Sequence, residues 1–131
     1  MIRRLRKGEH GQALVEMALV LPLLLLLLFG VIEMGRVGYA YITVSNAARE
    51  GGRLATIGVA DADIEISLKD GAVSLDPASL TITITPPTSQ RQSGQAVTVL
   101  VTYPVQLIIP IISNVISNPV IVSSSISMRI E

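Results

Sequence analysis

"KGEHGQALVEMALVLPLLLLLLFG", from Lys7 to Gly30, joins a basic start to an apolar run that carries one carboxylate, Glu16. The 20 residues from Ala13 to Ile32, coiled as a helix at about 1.5 Å each, cover the roughly 30 Å hydrocarbon layer of a bilayer. A cleavable secretory signal shares this basic-then-apolar order, but its apolar region is shorter and ends in a small-residue cleavage site that is missing here. A membrane span is therefore the expectation. Pro22 would break a helix in water and is tolerated in lipid as a kink. Arg3, Arg4, Arg6 and Lys7 precede the run, and by the positive-inside rule they hold the N-terminus in the cytoplasm, with everything after Glu33 on the other side.

The rest of the composition narrows the class. The chain has 131 residues, half of them apolar, and a mean hydropathy of +0.59, as expected for one small domain plus one anchor. Net charge is zero, yet residues 1–11 hold four basic side chains against Glu9, while residues 12–131 hold six basic against nine acidic. Basic character thus belongs to the leader, and nucleic acid is not an expected partner. No cysteine is present, and the single histidine, His10, lies in the leader. Disulfides, Cys-based metal sites and a His-based catalytic or metal centre in the folded part are thereby excluded. No cofactor and no small-molecule substrate is expected.

Helical periodicity continues past the span. In "EMGRVGYAYITVSNAAREGGRLATIG", Val37, Ala40, Val44, Ala47, Gly51 and Leu54 step by three and four and form a stripe of apolar and small side chains. One helix from about Ala13 to Thr56 would reach about 66 Å, with its upper half clear of the bilayer. The stripe has two readings: packing on the chain's own C-terminal domain, or close approach of a neighbouring helix at small positions such as Ala47 and Gly51.

Beyond it the chain reads as a compact α+β unit. "DADIEISLKDG" suggests a short helix with Asp61 as N-cap and Gly71 as stop, although its alternation also suits a strand, so 61–70 stays open between the two. "LTITIT" (Leu80 to Thr85), "AVTVLVTY" (Ala96 to Tyr103) and "VIVSSSISMRI" (Val120 to Ile130) read as strands, the first two joined as a hairpin. Three antiparallel strands laid over the upper helix would bury the stripe. Between the last two strands, "PVQLIIPIISNVISNPVIV" is apolar but broken by Pro104, Pro110 and Pro119 and lacks a flanking basic cluster. It reads as a turn of helix and loop under the sheet that touches the bilayer surface rather than as a second span.

A carboxylate inside an apolar run needs a reason, because charge in a membrane segment is costly and commonly functional. Glu16 lies five residues after Gly11, which follows the basic leader. That spacing resembles the processing site of type IV prepilins and pseudopilins. The resemblance implies a prepilin peptidase that cuts after Gly11 and leaves Gln12 as the first residue and Glu16 as the fifth. A freed α-amine is cationic near neutral pH, so Glu16 of one subunit could neutralise the terminus of its neighbour and set the register between them. Near the headgroups, however, a carboxylate costs little by itself.

"GQALVEMALVLPLLLLLLFGVIEMGR", "AAREGGR" at 47–53 and the ending "SSSISMRIE" resemble the TadE-like family, minor pseudopilin-type components of the bacterial Tad (Flp) pilus system. Processed members of that system favour Tyr after the Glu, where this chain has Met17. The resemblance implies a pilin-like α+β fold: residues 1–11 a basic cytoplasmic leader, 12–32 the transmembrane helix, 33–58 its extracytoplasmic continuation and 59–131 a small α+β domain. It also implies a non-enzymatic structural subunit of the bacterial inner membrane that initiates, helps assemble or anchors a fibre involved in adhesion and secretion, with a prepilin peptidase and other pilin or pseudopilin subunits as partners. A different class remains open: an uncleaved single-pass protein whose outer domain is a binding module.

Overall fold

The computed structural model describes the backbone from Arg6 and the side chains from Gly11 to Glu131. The side chains of the basic leader, Arg3, Arg4, Arg6 and Lys7 among them, therefore lie outside the described residues. One helix, α1 (Arg6–Thr56), runs for 51 residues and passes through Pro22, reaching about 77 Å at the usual rise. It ends where Gly58 adopts φ 82°, with the Gly58 N–H donating to the Ala55 carbonyl (3.3 Å) and the Val59 N–H to the Leu54 carbonyl (3.2 Å). Glycine takes this left-handed conformation without a Cβ penalty, and the paired bonds satisfy carbonyls that the helix end would otherwise orphan.

The segment 61–70 is helical, within α2 (Asp61–Gly71). Strand alternation would place Ile64, Ile66 and Leu68 on one face; instead Ile64 and Leu68 are buried while Ile66 is exposed, the outcome of a 3.6-residue period. The capping expectation needs correction. Ala60 holds the N-cap position, without a side-chain cap bond, and Ala72 the C-cap. Asp61 is instead the first helical residue, its carboxylate engaged by the hairpin loop as described below.

Three strands, β1 (Thr81–Thr85), β2 (Ala96–Val105) and β3 (Val120–Arg129), form an antiparallel sheet in the order β1-β2-β3. The fold is α+β, with the long helix, a short helix and the sheet. Inward alternation is clean on β2, where Val97, Val99, Val101 and Val105 are buried beneath α1. Thr and Ser dominate the outer face, with Thr81 opposite Thr102 and Thr102 opposite Ser123. β2 extends further than its alternation suggested, through Pro104, which pairs with Ile121. Pairing to β1 stops at Thr102, so one side of β2 needs no ladder donor there and a proline is accommodated. Between β2 and β3 lies α3 (Pro110–Ser113), one helical turn.

The core joins Ala40, Val44, Ala48 and Ala55 of α1 to Ile64 and Leu68 of α2 and to the β2 valines. Small residues on the helix and branched ones on the sheet let the two layers approach closely. Only the upper half of α1 takes part. Below it Leu14, Leu19, Leu23 and Leu27 are each about 70% exposed, and this stretch is long and apolar enough to cross a membrane.

Candidate functional site

The lower helix carries the residues expected to form a processing motif. Gly11, Gln12 and Glu16 lie within α1, and Gly11 has no atom within 4 Å of a Cβ position, so its lack of a side chain is not required by packing. Gln12 and Glu16 share a face one turn apart, and the Gln12 amide donates to Glu16 Oε1 at 3.2 Å. Glu16 is exposed on the single chain. The helix thus places the Gln12 and Glu16 side chains together in the i,i+4 relation.

The stripe on the upper helix faces inward. Ala40, Val44, Ala47 and Gly51 are buried, and Val37 and Leu54 are partly buried against the core. A Cβ at Gly51 would come within 2.9 Å of Leu68 Cδ1 and 3.0 Å of Val99 Cγ1; one at Gly52 would come within 3.0 Å of Ile126 Cγ2. The two glycines admit this chain's own second helix and sheet, and that space is filled. Farther along the exposed face, hydrogen bonds from Arg53 to Glu50 (3.0 and 2.6 Å) hold the Glu50 carboxyl below its usual value. A lowered folded-state pKa contributes stability that is lost as pH falls, but both groups face water, which screens the effect.

The most distinctive site lies where the span meets the domain. Glu33 is 4% exposed and is the buried charged residue of the described chain. Its Oε1 accepts the backbone N–H groups of Ile108 (2.7 Å) and Ile109 (3.3 Å), and its Oε2 accepts Arg36 Nη1 at 2.6 Å. Arg36 Nη2 in turn donates to the Gln106 carbonyl at 3.2 Å. A buried carboxylate is tolerable when paired and fully bonded, and this one clamps the β2–β3 connection to the top of the apolar segment of α1. Sequence reading treated Glu33 only as the end of the span. Its i,i+3 spacing to Arg36 was the available signal, but the backbone partners lie 75 and 76 residues away.

A second polar hub was also missed. Arg91, in a loop read as merely polar, is 5% exposed at its side chain and pairs with Asp61. Its guanidinium also donates to the carbonyls of Val59 (3.0 Å) and Pro86 (3.2 Å). Asp61 Oδ2 accepts the Thr88 N–H, and Thr88 Oγ1 accepts the Asp61 N–H, both at 2.9 Å. The start of α2 is thereby locked to the hairpin. Arg91→Ala is expected to cost about 2–4 kcal/mol, since it strands carbonyls and a carboxylate that a planar five-donor group had satisfied. Arg91→Lys should recover little of this. Chemical denaturation in detergent measures both, and a loss below about 1 kcal/mol, the worth of an exposed pair, would show that the hub is only a surface ion pair.

Among the described residues no group of three or more His, Cys, Asp or Glu is placed to hold a metal ion. No curated protein and no solved structure matches the chain. Residues 11–53, which comprise the processing motif, the span and most of the stripe, match the family model described as TadE-like protein. Over the helix from Gly11 to Arg53, about a third of its length, the chain is thus similar to the TadE-like family.

Proposed function

We propose that this protein is a structural, pseudopilin-like subunit of a Tad-type pilus, anchored in the bacterial inner membrane by the lower half of α1, with its α+β domain on the extracytoplasmic side. The observation that carries the proposal is the division of one helix into two surfaces. Its upper half is buried by the chain's own domain, while its lower half is apolar and exposed, with a carboxylate near the lower end. A helix apolar all round must be covered by lipid or by other helices. A bundle of such helices could pair Glu16 of one subunit with the freed terminus of another, which offsets the burial of both charges. Leader charges Arg3, Arg4, Arg6 and Lys7 support the orientation. In this reading the protein helps to initiate or anchor the fibre through its N-terminal helix.

Processing between Gly11 and Gln12 by a prepilin peptidase is the step that tests it. Intact-mass measurement of protein from its native membrane should find a chain that begins at Gln12, without the net +3 of residues 1–11. Gly11→Leu should leave the protein inserted and longer by the leader, because a bulky side chain obstructs an extended backbone in a protease cleft. Glu16→Ala should leave processing intact and reduce crosslinking to pilin-like subunits. A wild-type chain that keeps its leader in cells with an active peptidase would overturn the processed-pseudopilin reading. One observation favours that rival, an uncleaved anchor: α1 begins at Arg6 and passes through Gly11 as continuous helix, so the scissile bond must unwind before it can be cut.

A further inference from the structure

The connection between β2 and β3 is unlike an ordinary surface loop. From Gln92 through Met128 the chain contains no charged residue, and within that stretch Ile108, Ile111, Val115 and Ile116 are 70%, 62%, 83% and 52% exposed. These side chains do not point to open space at random. Ile111, Ile112, Val115 and Ile116 face Leu26 and Gly30 of the membrane segment across an apolar groove of about 630 Å³. Leu26 lies seven residues below Glu33, about 10 Å down the helix axis. The loop therefore descends from the domain alongside the span.

Its backbone is prepared for a dry environment. The Leu107 N–H donates to Asn118 Oδ1 at 3.0 Å, and those of Ile108 and Ile109 donate to Glu33. The N–H groups of the five residues from Ile112 to Ile116 donate to the carbonyls of Ile109, Pro110 and Ile112, and Pro110 has no N–H to satisfy, which leaves those of Ile111 and Ser117 without a partner among the described residues. Most of the loop's N–H groups are thus satisfied without water, which lowers the cost of placing this backbone in lipid. The Glu33 clamp fixes the loop at the level where α1 leaves the apolar run.

We infer that residues 107–117 form a second membrane contact: a wedge that enters the leaflet beside α1 on the domain's side, with lipid acyl chains occupying the groove against Leu26 and Gly30. The inference rests on the reading of α1 as a membrane span. Lipid is favoured as the occupant because the exposed isoleucines and valine continue the apolar surface of the span itself, with no charge to interrupt it. The wedge would hold the domain against the bilayer at a second point and restrict its rotation about the helix.

The chain contains no tryptophan, so single tryptophans report local environment directly. Ile111→Trp, Val115→Trp, a span control Leu27→Trp and a distant control Ile57→Trp would be made in the full chain and reconstituted in phosphatidylcholine vesicles with or without acyl-brominated phosphatidylcholine. Tryptophan at 111 and 115 should show blue-shifted emission and about half or more of the bromolipid quenching seen at 27, as insertion by roughly 5–10 Å requires. The Ile57→Trp protein should show neither. Water-like, unquenched emission at 111 and 115 would overturn the wedge. Blue-shifted emission without bromolipid quenching would overturn lipid as the occupant and place another protein helix in the groove. An unquenched Leu27→Trp protein would instead mean that the span itself is misassigned.

Discussion

Replacing Glu33 with leucine is expected to destabilise the C-terminal domain by about 2–4 kcal/mol and to free the β2–β3 connection. The two backbone N–H groups decide the magnitude. Arg36 loses its partner, but its side chain is 39% exposed and water can solvate it, so the lost ion pair contributes little. The N–H groups of Ile108 and Ile109 lose the buried carboxylate that accepts from them, and leucine offers no acceptor in its place. Leaving such part-buried donors unmade costs up to about 1–3 kcal/mol for each group. Glu33→Gln keeps one acceptor oxygen and should lose roughly half as much. Thermal unfolding in detergent micelles should show the midpoint of the leucine variant lower by about 10–25 °C, using roughly 4–8 °C per kcal/mol for a domain of this size. Limited proteolysis should then cut between Gln106 and Asn118. A midpoint within about 3 °C of wild type, less than 1 kcal/mol is worth, would mean that the clamp does not hold the connection.

Gly51→Leu is expected to be as damaging or more so, at about 3 kcal/mol or above, because the site is already closed to a single Cβ. Leu68 Cδ1 and Val99 Cγ1 lie 2.9 and 3.0 Å from that position. The leucine end can swing away, but Val99 is branched, fully buried and fixed on the central strand. Gly51→Ala gains about 1 kcal/mol of helix propensity, which partly offsets the crowding, so alanine should be far milder than leucine. Denaturant unfolding of the dispersed monomer is the right measurement. If Gly51 served a neighbouring subunit instead of this chain's own core, the monomer would be unaffected by leucine and only assembly would fail.

Much of this architecture was legible before the structure, and the physical reason differs by element. The apolar helix was legible because length and composition are local properties of Ala13 to Ile32. The sheet was legible because Leu and Ile alternate with Thr in "LTITIT", and Val recurs at every second position in "AVTVLVTY". Segment 61–70 could not be decided locally, since Ile64, Ile66 and Leu68 satisfy a strand while Ile64 and Leu68 alone satisfy a helix. Burial of two of the three, with Ile66 left in water, followed from the space beside α1 at Gly51. Asp61 was misassigned as an N-cap for a related reason: its best donors, Thr88 and Arg91, come from a hairpin loop that no local pattern could place next to it.

The long helix, its apolar lower half, the α+β class and the Gly11–Glu16 spacing could all be read from the chain alone, because each depends on periodicity, composition or separation along the chain. The surface that the small-residue stripe faces, and the roles of Glu33 and Arg91, came from the three-dimensional packing. A stripe of Ala and Gly is compatible with any close neighbour, and the three-dimensional arrangement supplied one: Leu68 and Val99 of the same chain. Likewise a carboxylate at the end of a span is unremarkable in sequence. It becomes a clamp only when folding brings Ile108 and Ile109 to it from the far side of the domain, because hydrogen bonds act over about 3 Å in space and take no account of distance along the chain.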